Sequence, residues 1–457
     1  NVEFRPGITA ILNDPYAGGT HLPDVTIVTP VFIGKEKQPM FYLANRAHHA
    51  DVGGAVPGSM TPLRRLDGSL QTLTVDDEGI RLPPMILTDR VRQKFAEASR
   101  TPDERYGDLR AQEAANHVGS VRLKEWVERH DITTMDINND ALLAYSQRLM
   151  SRVIAGLPSG VYEHTDYLDD DGGLHSNIPL PLTLTLTSDQ AVLDFSAAPD
   201  AVEGPMNAVP AIVRSAVFYC FRCLAGDSIP ANEGLMGSIT IKTRPGSILD
   251  PHPPAAVAVG NVETSQRLVD LIFGALAQAA PSLIPAASAG TMNNVLFGGL
   301  DHRQTPGQPF VHYETIGGGA GGGPQGPGAH GIQVHMTNTL NTPIEALERN
   351  FPVTIREYAI GKTPQVPEGC TPGGSGIIRH YQFHVDTMVT VMAERRSRPP
   401  MGLNGAPDGH CGVDEWSEDG LSWKPIPSKV TIRISAGGHL RVRTPSGAAW
   451  KAPDSTS

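Results

Sequence analysis

Four cysteines in 457 residues are too few and too scattered for the disulfide framework of a secreted domain. A reducing, cytoplasmic setting is expected instead. Cys220 and Cys223 form a CxxC inside the helix-like run "AIVRSAVFYCFRCLAG", but no second CxxC completes a zinc site, so these thiols are expected to pack in a core. No apolar run approaches the ~18 residues that cross a bilayer, and no membrane role is expected. Positive charge is also scarce. Lys and Arg number 37 against 48 Asp and Glu, and the net charge of -11 is spread along the chain, a poor counter-ion for phosphate backbones. Nucleic acid is therefore not an expected partner. The chain opens on Asn1 without a signal-peptide pattern and is expected to be trimmed at its front. It has no internal repeat.

What is present reads as a mixture of strands and helices. Residues 1–86 hold short β-branched runs broken by glycine and proline, such as "DVTIVTPVFI" and "FYLAN", and are expected to form strands and site-forming loops. Residues 87–158 turn helical, with Thr101-Pro102-Asp103-Glu104 as a capping box and Pro102 at the first helical position. Residues 159–350 form a mixed region. There Leu182, Leu184 and Leu186 alternate with Thr183, Thr185 and Thr187, predicting a hairpin that turns at Ser188-Asp189-Gln190 with one face covered. Two apolar helices follow, around "NAVPAIVRSAVFYCFRCLAG" and "TSQRLVDLIFGALAQAA", the second capped by Thr264 or Ser265. Residues 351–457 are strand-rich, with a hairpin "KVTIRISAGGHLRVRTP" expected to turn at Gly437-Gly438. The fold class is mixed α/β (α+β): a large, multi-layer chain with strand-rich ends and a helical segment between them.

Two stretches place polar residues where chemistry is expected. The first runs from "ILNDPYAGGTHLPDVTIVTP" to "FYLANRAHHADVGG" and sets His21, Asp24, His48, His49 and Asp51 among glycines beside an apolar run. Polar atoms beside a core need partners or a job. The second is the glycine run "IGGGAGGGPQGPGAHG", residues 316–331. It lacks GxxxxGK[ST], and no GxGxxG lies between a clear strand and helix, so it is no nucleotide site. Site-like strings flank it, "HYETIGGG" and "HMTNTLNTPIEALE", and it is expected to be an active-site loop, mobile without ligand.

Several strings in the same order resemble the B subunits of the hydantoinase/oxoprolinase group, which includes N-methylhydantoinase and prokaryotic 5-oxoprolinase. They are "NDPYAGGTHLPDVTIVTPVF", "NRAHHADVGG", "RTPDERYGDLRAQEAAN", "IPLPLTLTL", "AVAVGNVETSQRLVD", "GTMNN", "YETIGGGAGGGP" and "HMTNTLNTPIEALE". The resemblance covers nearly the whole chain. Two features depart from it: the helical stretch that usually precedes the "NDP" segment is absent, which suggests a processed or truncated chain or one product of a longer precursor, and Gln333 stands where the family often has the first histidine of "GVHTHMTNT", while His335 is kept.

The resemblance implies a divalent metal (zinc, manganese or iron) held by His21, Asp24 and His48. The chemistry agrees: two imidazoles and a carboxylate suit such an ion and leave positions open for water or substrate. Asp51 and His49 are expected to orient a ligand histidine. Asn261, Glu263, Thr291, Asn293, Glu314, His335 and Asn338 are the expected donors to a ring and a phosphate, with Glu314 and His335 near the metal. The resemblance further implies a separate ATPase-type A subunit in a hetero-oligomer. That partner uses ATP to phosphorylate the amide oxygen, and the B-type chain completes ring opening of a lactam or hydantoin. Two other readings stay open, a subunit of an acetone- or acetophenone-type ATP-dependent carboxylase and a non-catalytic scaffolding chain whose metal is structural.

Overall fold

The computed structural model describes residues 2–453 apart from 35, 36, 131, 228 and 304. Asn1 and residues 454–457, the outer ends of the first and last expected regions, lie outside the described residues.

Strands and helices are numbered along the chain. The first layer is an antiparallel sheet of β1 (Ala10–Leu12), β2 (Asp24–Val31), β3 (Phe41–His48) and β4 (Met85–Ile86), in the order β3-β2-β1-β4. Helices α1 (Asp89–Ala98) and α2 (Pro102–Arg129) follow, then α3 (Ile132–Ala155). Polar side chains tie α2 to the sheet: Gln112 Nε2 donates to Val25 O at 2.9 Å, and Asn45 Nδ2 donates to Gln112 O at 2.9 Å. Pro102 opens α2 as expected, but Thr101 makes no side-chain cap bond, so the expected capping box does not form.

The second layer contains β5 (Gly160–Asp170), β6 (Ser176–Leu186), β7 (Ala191–Asp194) and β8 (Ile239–Lys242), antiparallel except for the β7–β8 pair. Leu182, Leu184 and Leu186 are buried, and the β6–β7 hairpin closes through Thr187 N to Gln190 O at 2.9 Å, as the alternation predicts. Helices α4 (Pro210–Ala225) and α5 (Ser265–Ala279) are the two apolar helices. Neither Thr264 nor Ser265 caps α5. A π turn over Gly260–Thr264 carries the helical path back to Gly260, and the two hydroxyls instead donate to Met206 O and Asn261 O, each at 2.6 Å.

The last layers are two antiparallel sheets. One contains β9 (Asn294–Asp301), β10 (Gln308–Thr315), β14 (Thr387–Met392) and β17 (Lys429–Ile434). The other contains β11 (Val353–Ile360), β13 (Ile377–Phe383), β15 (Val413–Ser417), β16 (Lys424–Pro425) and β18 (His439–Arg443). Phe297, Val389, Tyr381 and Val442 from the two sheets share one core cluster. Helix α6 (Ile344–Asn350) precedes β11, and the short strands β12 (Cys370–Thr371) and β19 (Trp450–Lys451) pair with each other. The expected hairpin at Gly437-Gly438 is not one: β17 pairs with β14 and β18 with β13 and β15. Gly437, at φ 92°, makes a corner that passes the chain from one sheet to the other. The architecture is mixed α and β with several separate sheets, the expected class. Its larger core draws together Ile11, Val25, Phe95, Leu168 and Leu268.

The glycine run is not an open loop. A Cβ on Gly319 would lie 1.9 Å from Gly374 O and one on Gly321 1.8 Å from Ala286 O, so only glycine permits this backbone-to-backbone approach. Gly319 N donates to Pro445 O at 3.0 Å and Gly322 N to Ala448 O at 2.9 Å. The stretch is a hydrogen-bonded seam between segments of the fold. What reads as flexibility in the sequence is close packing.

Candidate metal centre

Register assembles the site. β2 begins at Asp24 and β3 ends at His48, and the antiparallel pairing sets these two directly opposite, where side chains share one face. The turn before β2 supplies His21, which is fully buried. His21 Nε2, His48 Nδ1 and Asp24 Oδ1 converge: His21 lies 3.3 Å from both His48 and Asp24, and His48 lies 3.2 Å from Asp24. The outer atoms of the cluster are tied down. His21 Nδ1 donates to Ala258 O at 2.9 Å, an assignment that leaves the Nε2 lone pair facing inward. Asp24 Oδ2 accepts from Thr20 Oγ1 at 2.6 Å and from Asn261 Nδ2 at 3.0 Å, leaving Oδ1 for the histidines. Behind Ala258, Glu78 Oε1 accepts from the N–H groups of Val257 and Ala258, both at 2.8 Å.

Burial opposes charge on Asp24, but the charge and hydrogen bonds of His21 and His48 outweigh it and hold this carboxyl well below its ordinary range. Burial pushes His48 downward, favouring a neutral imidazole able to donate a lone pair. Two imidazole nitrogens and a carboxylate oxygen, all with lone pairs toward one point, fit a divalent ion of the zinc, manganese or iron type. His48 keeps 27% of its side chain exposed, so one side of the cluster is open. A second group, Asp171, His175 and Glu203, has the spacing but not the setting: two members are exposed, and Asp171 Oδ1 already accepts from three backbone N–H groups.

The other expected residues divide. Asn261 touches the cluster through Asp24. Glu263 does not touch it and is linked only through two intermediaries: its Oε1 accepts from Asn294 Nδ2 at 2.8 Å, and Asn294 Oδ1 accepts from Tyr313 Oη at 2.9 Å, while the Tyr313 ring packs 4.7 Å from the His48 ring. His49 and Asp51 face elsewhere, because strand alternation turns His49 away from His48 toward Gln112 and Phe95. Asp51 accepts from Arg100 and from the Gly53 and Gly58 N–H groups, organising a loop. Asn293 is held by Ile316 O and Arg396, and Thr291 Oγ1 accepts from the Asn293 and Glu394 N–H groups. Glu314, next to Tyr313 on β10, points to the opposite face and pairs with Arg379 at 2.9 Å. His335 bonds Asp270 at 2.9 Å, and Asn338 lines a cavity beside it. Thr20, Glu78, Ala258 and Tyr313 also support the cluster, and sequence reasoning missed all four. For Tyr313 the only signal was its place on a strand whose next residue is Glu314.

The arrangement defines a class: an α+β chain whose two-histidine, one-aspartate cluster, buried at His21 and open at His48, is braced by a helix start from another layer. The family model for hydantoinase B/oxoprolinase matches residues 1–453, and the chain belongs to that family. Among curated relatives it is 33% identical over 473 residues to 5-oxoprolinase 1 of Arabidopsis thaliana, covering 98% of this chain and 36% of that protein. It is 34% identical to the 5-oxoprolinase of Dictyostelium discoideum, covering 99% and 34%. It is 33% identical to the 5-oxoprolinase of Saccharomyces cerevisiae, covering 98% and 36%. The chain thus spans about a third of the length of these 5-oxoprolinases. Among solved structures, the ATP-dependent caprolactamase of Pseudomonas jessenii shares the fold at a TM-score of 0.81 with 21% identity, covering 99% of this chain and 78% of that one. An acetone carboxylase does so at 0.80 with 16% identity, covering 98% and 66%. Among the described residues no helix is long and apolar enough to cross a membrane.

Proposed function

We propose that this chain is the B-type unit of an ATP-dependent cyclic-amide hydrolase and completes ring opening of a lactam or hydantoin that an ATPase-type partner has phosphorylated. The observation that carries this reading is the convergence of His21, Asp24 and His48 in a chain of the hydantoinase B/oxoprolinase family. An amide is resonance-stabilised, so its carbonyl is a poor electrophile until its oxygen is activated. The phosphate-binding motifs that would activate it are missing from the sequence, which fits ATP being used elsewhere.

A divalent ion in the cluster would act as a Lewis acid and lower the pKa of a bound water. The protein's own residues provide the frame. Ala258 O fixes the His21 tautomer, Thr20 and Asn261 fix the Asp24 carboxylate, and Tyr313 packs against His48 so that its ring holds one orientation. Burial of His21 and Asp24 keeps bulk water from competing for these contacts, while the open side at His48 admits the activated ring.

Mixing the purified chain with an ATPase-type partner tests the proposal. Ring opening coupled to ATP hydrolysis is expected only from the mixture and without bicarbonate. ATP turnover by the isolated chain, or turnover that requires bicarbonate and a ketone, would overturn it, the second outcome in favour of a carboxylase.

A further inference from the structure

The register that assembles the metal cluster continues by one more polar rung. β2 and β3 pair Asp24 with His48 and Thr26 with Arg46, so strand alternation sets Arg46 on the same face as His48, roughly 7 Å away along the strand. Arg46 Nε donates to Thr26 Oγ1 at 2.8 Å, and its Nη2 donates to Gly18 O at 3.2 Å, in the turn that goes on to Thr20 and His21. The guanidinium is thus tied to both chain segments that carry the cluster. Both of its acceptors are neutral. Among the described residues no carboxylate lies within ion-pair distance of it, and its Nη1 makes no hydrogen bond. The arginines where α1 gives way to α2 differ: Arg100 is matched to Asp51 at 2.7 Å and Arg105 to Asp108 at 2.8 Å. Arg46 keeps its charge unmatched, and it is exposed on the face where His48 is open.

Charge shows what such a neighbour can do. As ligands, two neutral imidazoles and the Asp24 carboxylate bring one negative charge, which a divalent ion exceeds by one. A phosphate monoester near neutral pH carries about −2. The centre alone leaves half of that unmatched, and the Arg46 guanidinium supplies the rest. Geometry agrees. Thr26 and Gly18 take up the Nε and Nη2 hydrogens on one side of the planar fork, leaving its Nη1/Nη2 end, an edge that receives phosphate oxygens in pairs. The same two acceptors hold the fork in place before anything binds, which lowers the cost of ordering it. A mere clamp between the Gly18 turn and β2 would need the hydrogen bonds but not the charge.

We infer that Arg46 is a specificity-determining residue on the open side of the metal centre and binds the oxyanion of the incoming substrate, the phosphoryl group of an activated intermediate. The inference rests on the function proposed above and deepens it, by assigning a residue of this chain to the group that the ATPase-type partner adds. Inorganic phosphate, which presents the same oxygens, is then a ligand of the isolated chain.

Calorimetric titration of the isolated, manganese-loaded chain with inorganic phosphate and with acetate tests this, because the two anions separate a phosphoryl group from a carboxylate on the substrate. Phosphate is expected to bind at least about tenfold tighter than acetate. Arg46→Gln keeps a donor but loses the charge and the fork, and should weaken phosphate by about tenfold or more, the scale of a hydrogen bond to a charged group. Arg46→Lys keeps the charge alone and should fall between the two. Manganese content by elemental analysis and the melting temperature should match wild type in both variants, since Arg46 is exposed and is not a ligand. Unchanged phosphate affinity in Arg46→Gln would overturn the assignment. Loss of affinity accompanied by loss of manganese or by a lower melting temperature would overturn it in favour of a structural clamp, and acetate binding as tightly as phosphate would do so in favour of a substrate carboxylate. If the mixture with the partner opens rings while phosphate binding is indifferent to Arg46, this inference fails and the proposed function stands. Phosphate binding that depends on Arg46, without ring opening by the mixture, gives the reverse.

Discussion

Glu263 and Glu314 are both buried and both border the β9–β10 ladder, yet their surroundings drive them in opposite directions. Glu263 accepts only from neutral donors, Met292 N at 3.1 Å and Asn294 Nδ2 at 2.8 Å, and its Oε2 has no hydrogen-bond partner. Burial, reinforced by the charge of Glu394, pushes its pKa up to about 8. Glu314 accepts from Arg379 at 2.9 and 3.1 Å, from Asn341 at 2.8 Å and from the Tyr381 hydroxyl. Burial alone would raise it too, but His312, Arg379 and Tyr381 outweigh that and bring it down to about 2. The pairing decides the role. A carboxylate matched to a buried guanidinium is a structural anchor of the C-terminal sheets, whereas burial pushes one matched only to amides toward its neutral form.

The sharpest way to break this contrast is to remove the anchor. Glu314→Gln leaves Arg379, fully buried, without its counter-charge, and loss of one partner from a buried ion pair costs about 3–5 kcal/mol. Urea unfolding should show that loss, while the fraction that remains folded keeps its metal content. A variant with full stability but no turnover would make Glu314 a working group and not an anchor.

The complementary change falls on the other side. His48→Ala should lower bound metal, read by elemental analysis as about one equivalent per wild-type chain, by at least about tenfold, as expected when one of three protein ligands is lost. Stability of the metal-free form should move by no more than about 1 kcal/mol, since His48 is partly exposed and spans no core. Active protein purified without metal would remove the centre altogether. Unfolding on chelation would make the metal structural and overturn the catalytic reading.

How far the sequence could lead follows from the same residues. His21 and Asp24 are close along the chain, so their partnership is legible as a motif. His48 joins them only through the β2–β3 register, and family resemblance supplied what spacing could not. The strand hairpin at Leu182–Leu186 was legible because one face is covered and the alternation is clean. β10 is buried over most of its inner half, so alternation is silent there, and nothing in "HYETIGGG" says that Tyr313 faces the cluster while Glu314 faces Arg379. The glycine run misled because composition reports what a backbone can do, flex or pack closely, and not which it does. Gly437-Gly438 misled for a related reason: the pair does turn the chain, but between sheets. Cys223, expected in the core with Cys220, is exposed at the cavity because the helix face changes within one turn.

The smallest expected effect is also the most direct reading of the contrast between the two glutamates. Glu263 has a folded pKa of about 8 against an ordinary 4.5, so between those values the folded chain binds more protons than the unfolded one. Stability must then fall as pH rises through this window and level off above it. Glu78, also raised by burial to about 8, and Glu394, raised to about 7, act in the same direction. Glu314 has the opposite sign: its contribution is present above 4.5 and is lost as pH falls toward 2. Glu263→Gln keeps an acceptor for Asn294 and Met292 but carries no charge at any pH. Its melting temperature should therefore match wild type near pH 5 and exceed it by a few degrees near pH 8, with the two curves parallel in acid, where Glu314 governs. Melting curves at closely spaced pH values would show this. An unchanged slope between pH 5 and 8, or a variant less stable than wild type at pH 8, would mean that Glu263 is ionised in the folded chain and that the two carboxylates do not differ as described.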